Sequence, residues 1–233
     1  MSLTTEPIEN FANIERLRIC AVRSPVLLPF VGEEIKIVKA AQLRLLRDAL
    51  HAERKIFGVV YVPDVVDAPP VGSIGSVAII RSVKLAKTGG KIVKIFGIVR
   101  FRIREYVDED CPYPNAAIEY FRDEAEDEDE LNALGNEIAL LMKRIVDKAC
   151  ALNGKASDLP LIEIPPTPFS FLISDVFDFD TETRLELLNL RSTSERLEFC
   201  RRYFLNYEAK RISNAEQREF MRRFTNIYNP HQK

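Results

Sequence analysis

The sequence predicts an α+β chain, with a small, strongly curved β-sheet in its first half and a helical second half. Three observations carry this. Residues 91–107 alternate with period two over a long run, Ala40, Leu43, Leu46 and Leu50 recur at helical spacing between two apolar runs, and from Leu131 onward the apolar period lengthens to three and four. With 233 residues the chain can bury a core that folds without disulfides or metals.

Residues 18–22 (RICAV) read as a strand, and 24–37 (SPVLLPFVGEEIKI) as either a turn between strands or an apolar gripping surface. A helix over 39–54 leads to a strand over 55–62 (KIFGVVYV), rich in β-branched and aromatic residues. The Pro- and Gly-rich connection 63–75 interrupts the pattern. A strand over 77–86 then turns through KTGG, 87–90, into 91–107, the glycine pair suiting a turn with positive φ. On the returning strand Val93, Ile95, Gly97, Val99, Phe101 and Ile103 form one apolar line, and Arg100, Arg102 and Arg104 end the opposite, wet and basic face. Gly97 in mid-strand marks a bulge or tight bend, and 115–121 (NAAIEYF) is a further strand.

The expected division is a tail over 1–14, a β-rich unit over 15–122, an acidic linker over 123–130, a helical subdomain over 131–225 and a tail over 226–233. Residues 105–130 hold twelve acidic side chains against Arg122, and the run DEAEDEDE reads as a solvated lead-in to a helix carrying Leu131, Leu134, Ile138, Leu141 and Ile145. In IPPTPFSF, 164–171, Thr167 is the expected N-cap and Pro168 the first helical residue. Asp180 is placed to cap a helix with Leu185, Leu188 and Leu190. Ser192 to Glu195 has capping-box spacing, and the final helix is expected from about Thr193 to Phe224. A helix of that length projects, pairs with another chain, or leads to a further domain.

Composition excludes several classes. Hydrophobic and charged fractions of 46% and 29% are those of a globular protein, and no apolar run is long enough for a membrane span. MSLTTEPIENF has neither a basic start nor an apolar h-region, so a cytoplasmic location is expected. Cys20, Cys111, Cys150 and Cys200 lie far apart, as core thiols do, and His51 and His231 stand alone. Gly90-Lys91 and Gly154-Lys155 lack the rest of a phosphate-cradling loop, and no G-x-S-x-G elbow is present. No catalytic residue, cofactor or metal is therefore expected. Arg100, Arg102 and Arg104 with Tyr106 could meet a phosphate backbone, but the net charge of −2 and the acidic segment that follows argue against nucleic acid.

IERLRICAVRSPVLLPF, KAAQLRLLRDALHAERKIFGVVYV and VGSIGSVAIIRSVKLAKTGGKIVKIFGIVRFRI, in this order, resemble the N-terminal domain of Lon, the ATP-dependent protease. The third block is the most specific, with Val71, Gly72, Ile74, Ser76, Ala78 and Ile80, then Gly97, Arg100, Arg102 and Ile103 at the motif positions. SERLEFCRRYFLNYEAKRI, 194–212, is similar to the segment entering the long Lon helix. The resemblance implies a PUA-like curved β pseudo-barrel followed by an α-helical bundle with a long C-terminal helix. Pro25 and Pro29 then fall in a strand-to-strand turn with Val26 to Phe30 partly in the core. Two places depart from the family pattern: 32–37 (GEEIKI) is more polar, and Phe96 precedes Gly97 where relatives usually carry Glu.

No ATPase or Ser/Lys peptidase residue maps onto the chain, so the resemblance implies a non-enzymatic protein-binding module. Its expected partners are unfolded or extended polypeptide, or a protease or chaperone component, with self-association through the C-terminal helix. The candidate surface is Phe30, Val31, Glu33, Glu34, Lys36, Phe96, Phe169 and Phe171. Two alternatives stay open: a fragment or truncated copy of the protease serving assembly, and RNA or small-ligand binding by the barrel.

Overall fold

The computed structural model describes residues 14–107, 110–152, 164–177 and 179–209. The elements are β1 (Arg16–Val22), β2 (Gly32–Ile37), α1 (Ala40–His51), β3 (Ile56–Tyr61), β4 (Ile74–Leu85), β5 (Lys91–Val107), β6 (Asn115–Tyr120), α2 (Glu128–Leu152), α3 (Pro166–Val176), α4 (Thr181–Asn189) and α5 (Thr193–Ala209). The two expected tails apart from Ile14, together with His231 and the final helix beyond Ala209, lie outside the described residues. The chain forms two compact units, one of residues up to 122 with Thr181–Asn189, the other of Asp123–Asp180 with the chain from Leu190. α4, expected within the helical half, thus clusters with the β-rich unit.

In the first unit β5, β4, β3, β1 and β6 pair in that order, and β6 returns to β5, closing a five-stranded ring. β1 and β3 are parallel and the other pairs antiparallel. β5 serves three neighbours: β4 along one edge, and on the other β2 beside its first part and β6 beside its last. The 87–90 turn forms as expected, with Gly89 and Gly90 at φ 82° and 83°.

The register between β4 and β5 steps from Ala78↔Gly97 to Ser76↔Arg100, so β5 spends one extra residue there. This bulge turns the strand over. Val93 and Ile95 join a core containing Leu45, Leu46 and Ala49 of α1, whereas Phe101 and Ile103 join a second core with Leu17, Ile19, Ile56, Val60, Val77 and Ala116. The single apolar line expected from Val93 to Ile103 is therefore two half-lines on opposite faces.

The segment 26–31 lies against the bulge. Gly97 N–H donates to the Val31 carbonyl (3.0 Å), Phe30 N–H to the Gly97 carbonyl (2.8 Å), and Ser76 Oγ to the Leu27 carbonyl (2.7 Å). A Cβ on Gly97 would run into the Leu28 carbonyl, so only glycine admits this approach. α4 is tied to the same unit by two arginines. Arg100 Nη1 donates to the Leu188 carbonyl (2.7 Å), and Arg184 Nη1 meets Glu33 Oε1 at 2.5 Å.

In the second unit α5 packs on both α2 and α3. Ile138, Met142 and Val146, Phe169, Phe171 and Ile173, and Leu197, Cys200 and Phe204 form its interior. α3 begins at Pro166 after Pro165 and has no side-chain cap, in place of the expected Thr167 cap with Pro168 first. Prolines in a first turn lose only N–H groups that have no intrahelical partner, so the helix can start earlier.

The acidic segment is built in rather than merely solvated. Asp127 Oδ1 accepts from the N–H groups of Asp129 and Glu130 at the start of α2, both at 3.0 Å. Glu126 takes the Thr193 and Ser194 N–H groups (2.5 and 2.9 Å), and Ser192 Oγ takes the Glu195 N–H (3.0 Å), so α5 has its first three amides capped. Asp123 receives the fully buried Arg196, Nη1 at 3.1 Å and Nη2 at 2.6 Å. Arg196 also donates to Ser170 Oγ (3.0 Å), the Leu190 carbonyl (2.9 Å) and Thr193 Oγ1 (2.9 Å), so all five N–H groups are used, with the guanidinium 4.3 Å from the Phe171 ring centre.

Two outcomes follow. Arg196→Lys cannot reproduce five donors in a plane, and it or Arg196→Ala should lose about 3–5 kcal/mol in urea unfolding. Burial pushes the Glu126 carboxyl up, but hydrogen bonds from Ser194, Thr193 and Ser192 outweigh it and hold the group below the usual range. Stability from this lowered carboxyl is full above the unfolded value and lost as the pH falls through the folded one. Stability should therefore decline below about pH 4.3, and Glu126→Gln should flatten that decline in unfolding curves measured across the acid range.

Candidate protein-binding surface

The expected surface residues separate. Phe30, Val31, Glu33, Glu34, Lys36 and Phe96 lie together, since β2 pairs with β5 from Gly32↔Phe96 to Ile37↔Lys91. Within that group Val31 is buried and is not an anchor; its carbonyl faces Gly97 and its side chain joins the interior. Phe30 is half-buried at φ 62°, and Phe96 is half-buried with the Arg81 guanidinium 5.2 Å from its ring centre. Glu33 is engaged by Arg184, while Glu34 is exposed and Lys36 reaches Thr88 Oγ1 at 2.6 Å. Phe169 and Phe171 are buried in the helical unit, Phe171 beneath Arg196, so neither is an exposed anchor.

The basic face is also corrected. Arg100 is 2% exposed and caps α4 from inside, its guanidinium 4.9 Å from the Phe121 ring centre. Arg102 and Arg104 reach Glu119 of β6 at 3.4 and 2.6 Å. Pairing of β5 with β6 sets Glu119 opposite Arg102, so the strip expected to meet phosphates is divided between burial and a carboxylate.

What residue-by-residue reading missed is apolar exposure at one end of the β-rich unit. Leu85 is 83% exposed, Val65 68%, Val38 55% and Val66 38%. Ile37 and Leu85 both pair with Lys91, which places the end of β2 and the end of β4 on either side of the 87–90 turn. A Cβ on Gly90 would touch Val38, so Val38 lies against that turn. The ion pair of Lys39 with Asp67, 2.9 Å, ties the β3–β4 connection carrying Val65 and Val66 to the residue after Val38. The signal was PDVVDAPP, two adjacent valines among prolines and aspartates, where no strand or helix can bury both.

Little else offers chemistry. Among the described residues no group of three His, Cys, Asp or Glu could hold a metal, and no helix is long and apolar enough to cross a membrane. Burial pushes the Cys20 and Cys200 thiols up to about 12, far from a reactive thiolate. An open cleft of about 350 Å³ beside the start of β1 is lined by charges of both signs, Glu15, Arg16, Arg18, Glu53 and Arg54.

Comparison with known proteins gives a consistent picture. No curated protein matches the chain. Among solved structures, the N-terminal domain of Mycobacterium avium complex Lon protease superposes with a TM-score of 0.61 at 18% identity, covering 81% of this chain and 97% of that one. A Lon N-terminal domain protein from Xanthomonas campestris gives 0.56 at 20%, covering 80% and 96%. These likenesses establish the fold, an α+β mixed sheet with helices, consistent with the PUA-like description. The family model of the ATP-dependent protease La (LON) substrate-binding domain matches residues 16–204, and the chain accordingly belongs to that family.

Proposed function

We propose that this chain is a non-catalytic module that binds extended or unfolded protein segments on the apolar end formed by Val38, Val65, Val66 and Leu85. The observation that carries the reading is the exposure of these four side chains at one end of the unit, where among the described residues the other exposed large apolar side chain, Val71, stands singly before the start of β4. Clustered apolar exposure rimmed by charge marks a surface for another chain, and Lys39, Asp67 and Lys87 supply the rim. Membership of the substrate-binding domain family supports protein as the ligand. An extended segment suits the site because the valines stand on connections and Leu85 on a strand end. In this reading the module hands its clients to a protease or chaperone component.

The test is anisotropy of a labelled, permanently unfolded protein titrated with the purified chain, with a polar disordered protein as control. Burying one such side chain contributes about 1.5–3 kcal/mol, so Leu85→Asp combined with Val65→Asp should weaken binding at least ~tenfold. Both positions are exposed, so the unfolding midpoint should stay put. Equal affinity for the polar control, or binding indifferent to the double substitution, would overturn the reading.

A further inference from the structure

We propose that the free edge of β2 is a self-complementary interface, through which two copies of this chain pair antiparallel and join their sheets into one. This goes beyond the proposed client site, with which it shares Val38 alone and from which it differs in chemistry.

The ring closes every strand of the sheet except β2, which stands at its end and, among the described residues, pairs only with β5. The Gly97 N–H to Val31 carbonyl bond fixes the phase of that ladder, so the main chain of Glu33, Ile35 and Ile37 faces β5. The N–H and C=O groups of Gly32, Glu34 and Lys36 then point outward. All three residues are exposed, and among the described residues no hydrogen bond reaches this outer edge. Such an edge is a template for another strand, and a lysine on it usually serves to repel one.

Here the charges sort the possible partners. In a twofold antiparallel pairing centred on Ile35, Glu34 of one copy stands opposite Lys36 of the other, and Lys36 opposite Glu34. Each such pair exchanges both its main-chain hydrogen bonds, and the exposed Val38 falls opposite Gly32, where there is no side chain to clash. Shifting the register by two residues either way sets Glu34 against Glu34 or Lys36 against Lys36. Within a chain Glu34 is already paired in register with the exposed Lys94 of β5, so in the dimer each Glu34 lies between two lysines. Lys36 exchanges its solvent-exposed bond to Thr88 for this carboxylate. The edge charge that repels most strands is thus complementary to a second copy of itself.

The experiment is sedimentation equilibrium of the full chain over a wide concentration range, with amide hydrogen exchange on the same samples. We expect a monomer–dimer equilibrium, and exchange of the Glu34 and Lys36 amides that slows as concentration rises. Glu34→Lys turns both attractive pairs repulsive and should weaken dimerisation at least ~tenfold, while Glu34→Lys with Lys36→Glu restores opposite charges and should recover it to within ~threefold. A wild-type chain that stays monomeric overturns the proposal, as does a dimer indifferent to Glu34→Lys. So does protection of the two amides that appears only when an extended peptide is added, which would assign the edge to that peptide. The exchange measurement uses the unaltered chain and decides even where a variant misfolds. Loss of client binding through Leu85 and Val65 leaves these outcomes unchanged, so the two readings fail separately.

Discussion

A strand of seventeen residues cannot keep one face to a single core when the sheet around it curls shut, and the extra residue near Ile98 and Val99 resolves this for β5. Before it, the strand presents Val93 and Ile95 to the layer under α1; after it, the strand presents Phe101 and Ile103 to the other core. The same irregularity creates the gap at Gly97 that receives the 28–31 segment and rotates Arg100 out of solvent toward Leu188. The seat of the 28–31 segment and the reach of Arg100 to α4 both lie at that insertion, and ring closure by β6 carries a further register shift between Ile103 and Glu105.

Charge is used structurally in both units. Arg100 and Arg184 hold α4, and Arg196 with Asp123 holds the start of α5, each guanidinium spending its donors on carbonyls, hydroxyls or a carboxylate. An apolar side chain could fill these places with similar stability, but it would accept several rotations of the helix. A planar fork with five acceptors at fixed positions accepts one. The carboxylates of Glu126 and Asp127 add the same directionality to the two helix starts.

Much of this was legible. The glycine pair at 89–90, the helix α1 and the Ser192 cap each depend on neighbours in sequence, and local chemistry determines them; the buried face of α1 was legible only in part, since Leu45, Leu46 and Ala49 are covered, Leu43 and Leu50 half-covered, and Ala40 exposed. The bulge was not, because the alternation from Val93 to Ile103 runs unbroken through it; only the pairing with β4 reveals the extra residue. Arg100 looked wet and Phe171 looked like an anchor for the same reason: their partners, Leu188 and Arg196, lie 88 and 25 positions away. Val65 and Val66 were visible as letters, yet in a proline-rich connection they read as linker. Their exposure becomes informative only beside Val38 and Leu85, which long-range pairing supplies.

The return of residues 181–189 to the first unit has a consequence for how the protein is made. A ribosome that has finished β6 must add the chain from 123 to 189 before the barrel receives its helix, which at 5–20 residues per second takes roughly three to thirteen seconds. Throughout that interval Arg100 lacks the Leu188 carbonyl and Glu33 lacks Arg184. The first unit is therefore completed late although it is synthesised early, and the nascent chain passes through a stage in which a charged residue destined for the interior is still hydrated. Chaperones that bind emerging chains have a defined time in which to act on this one.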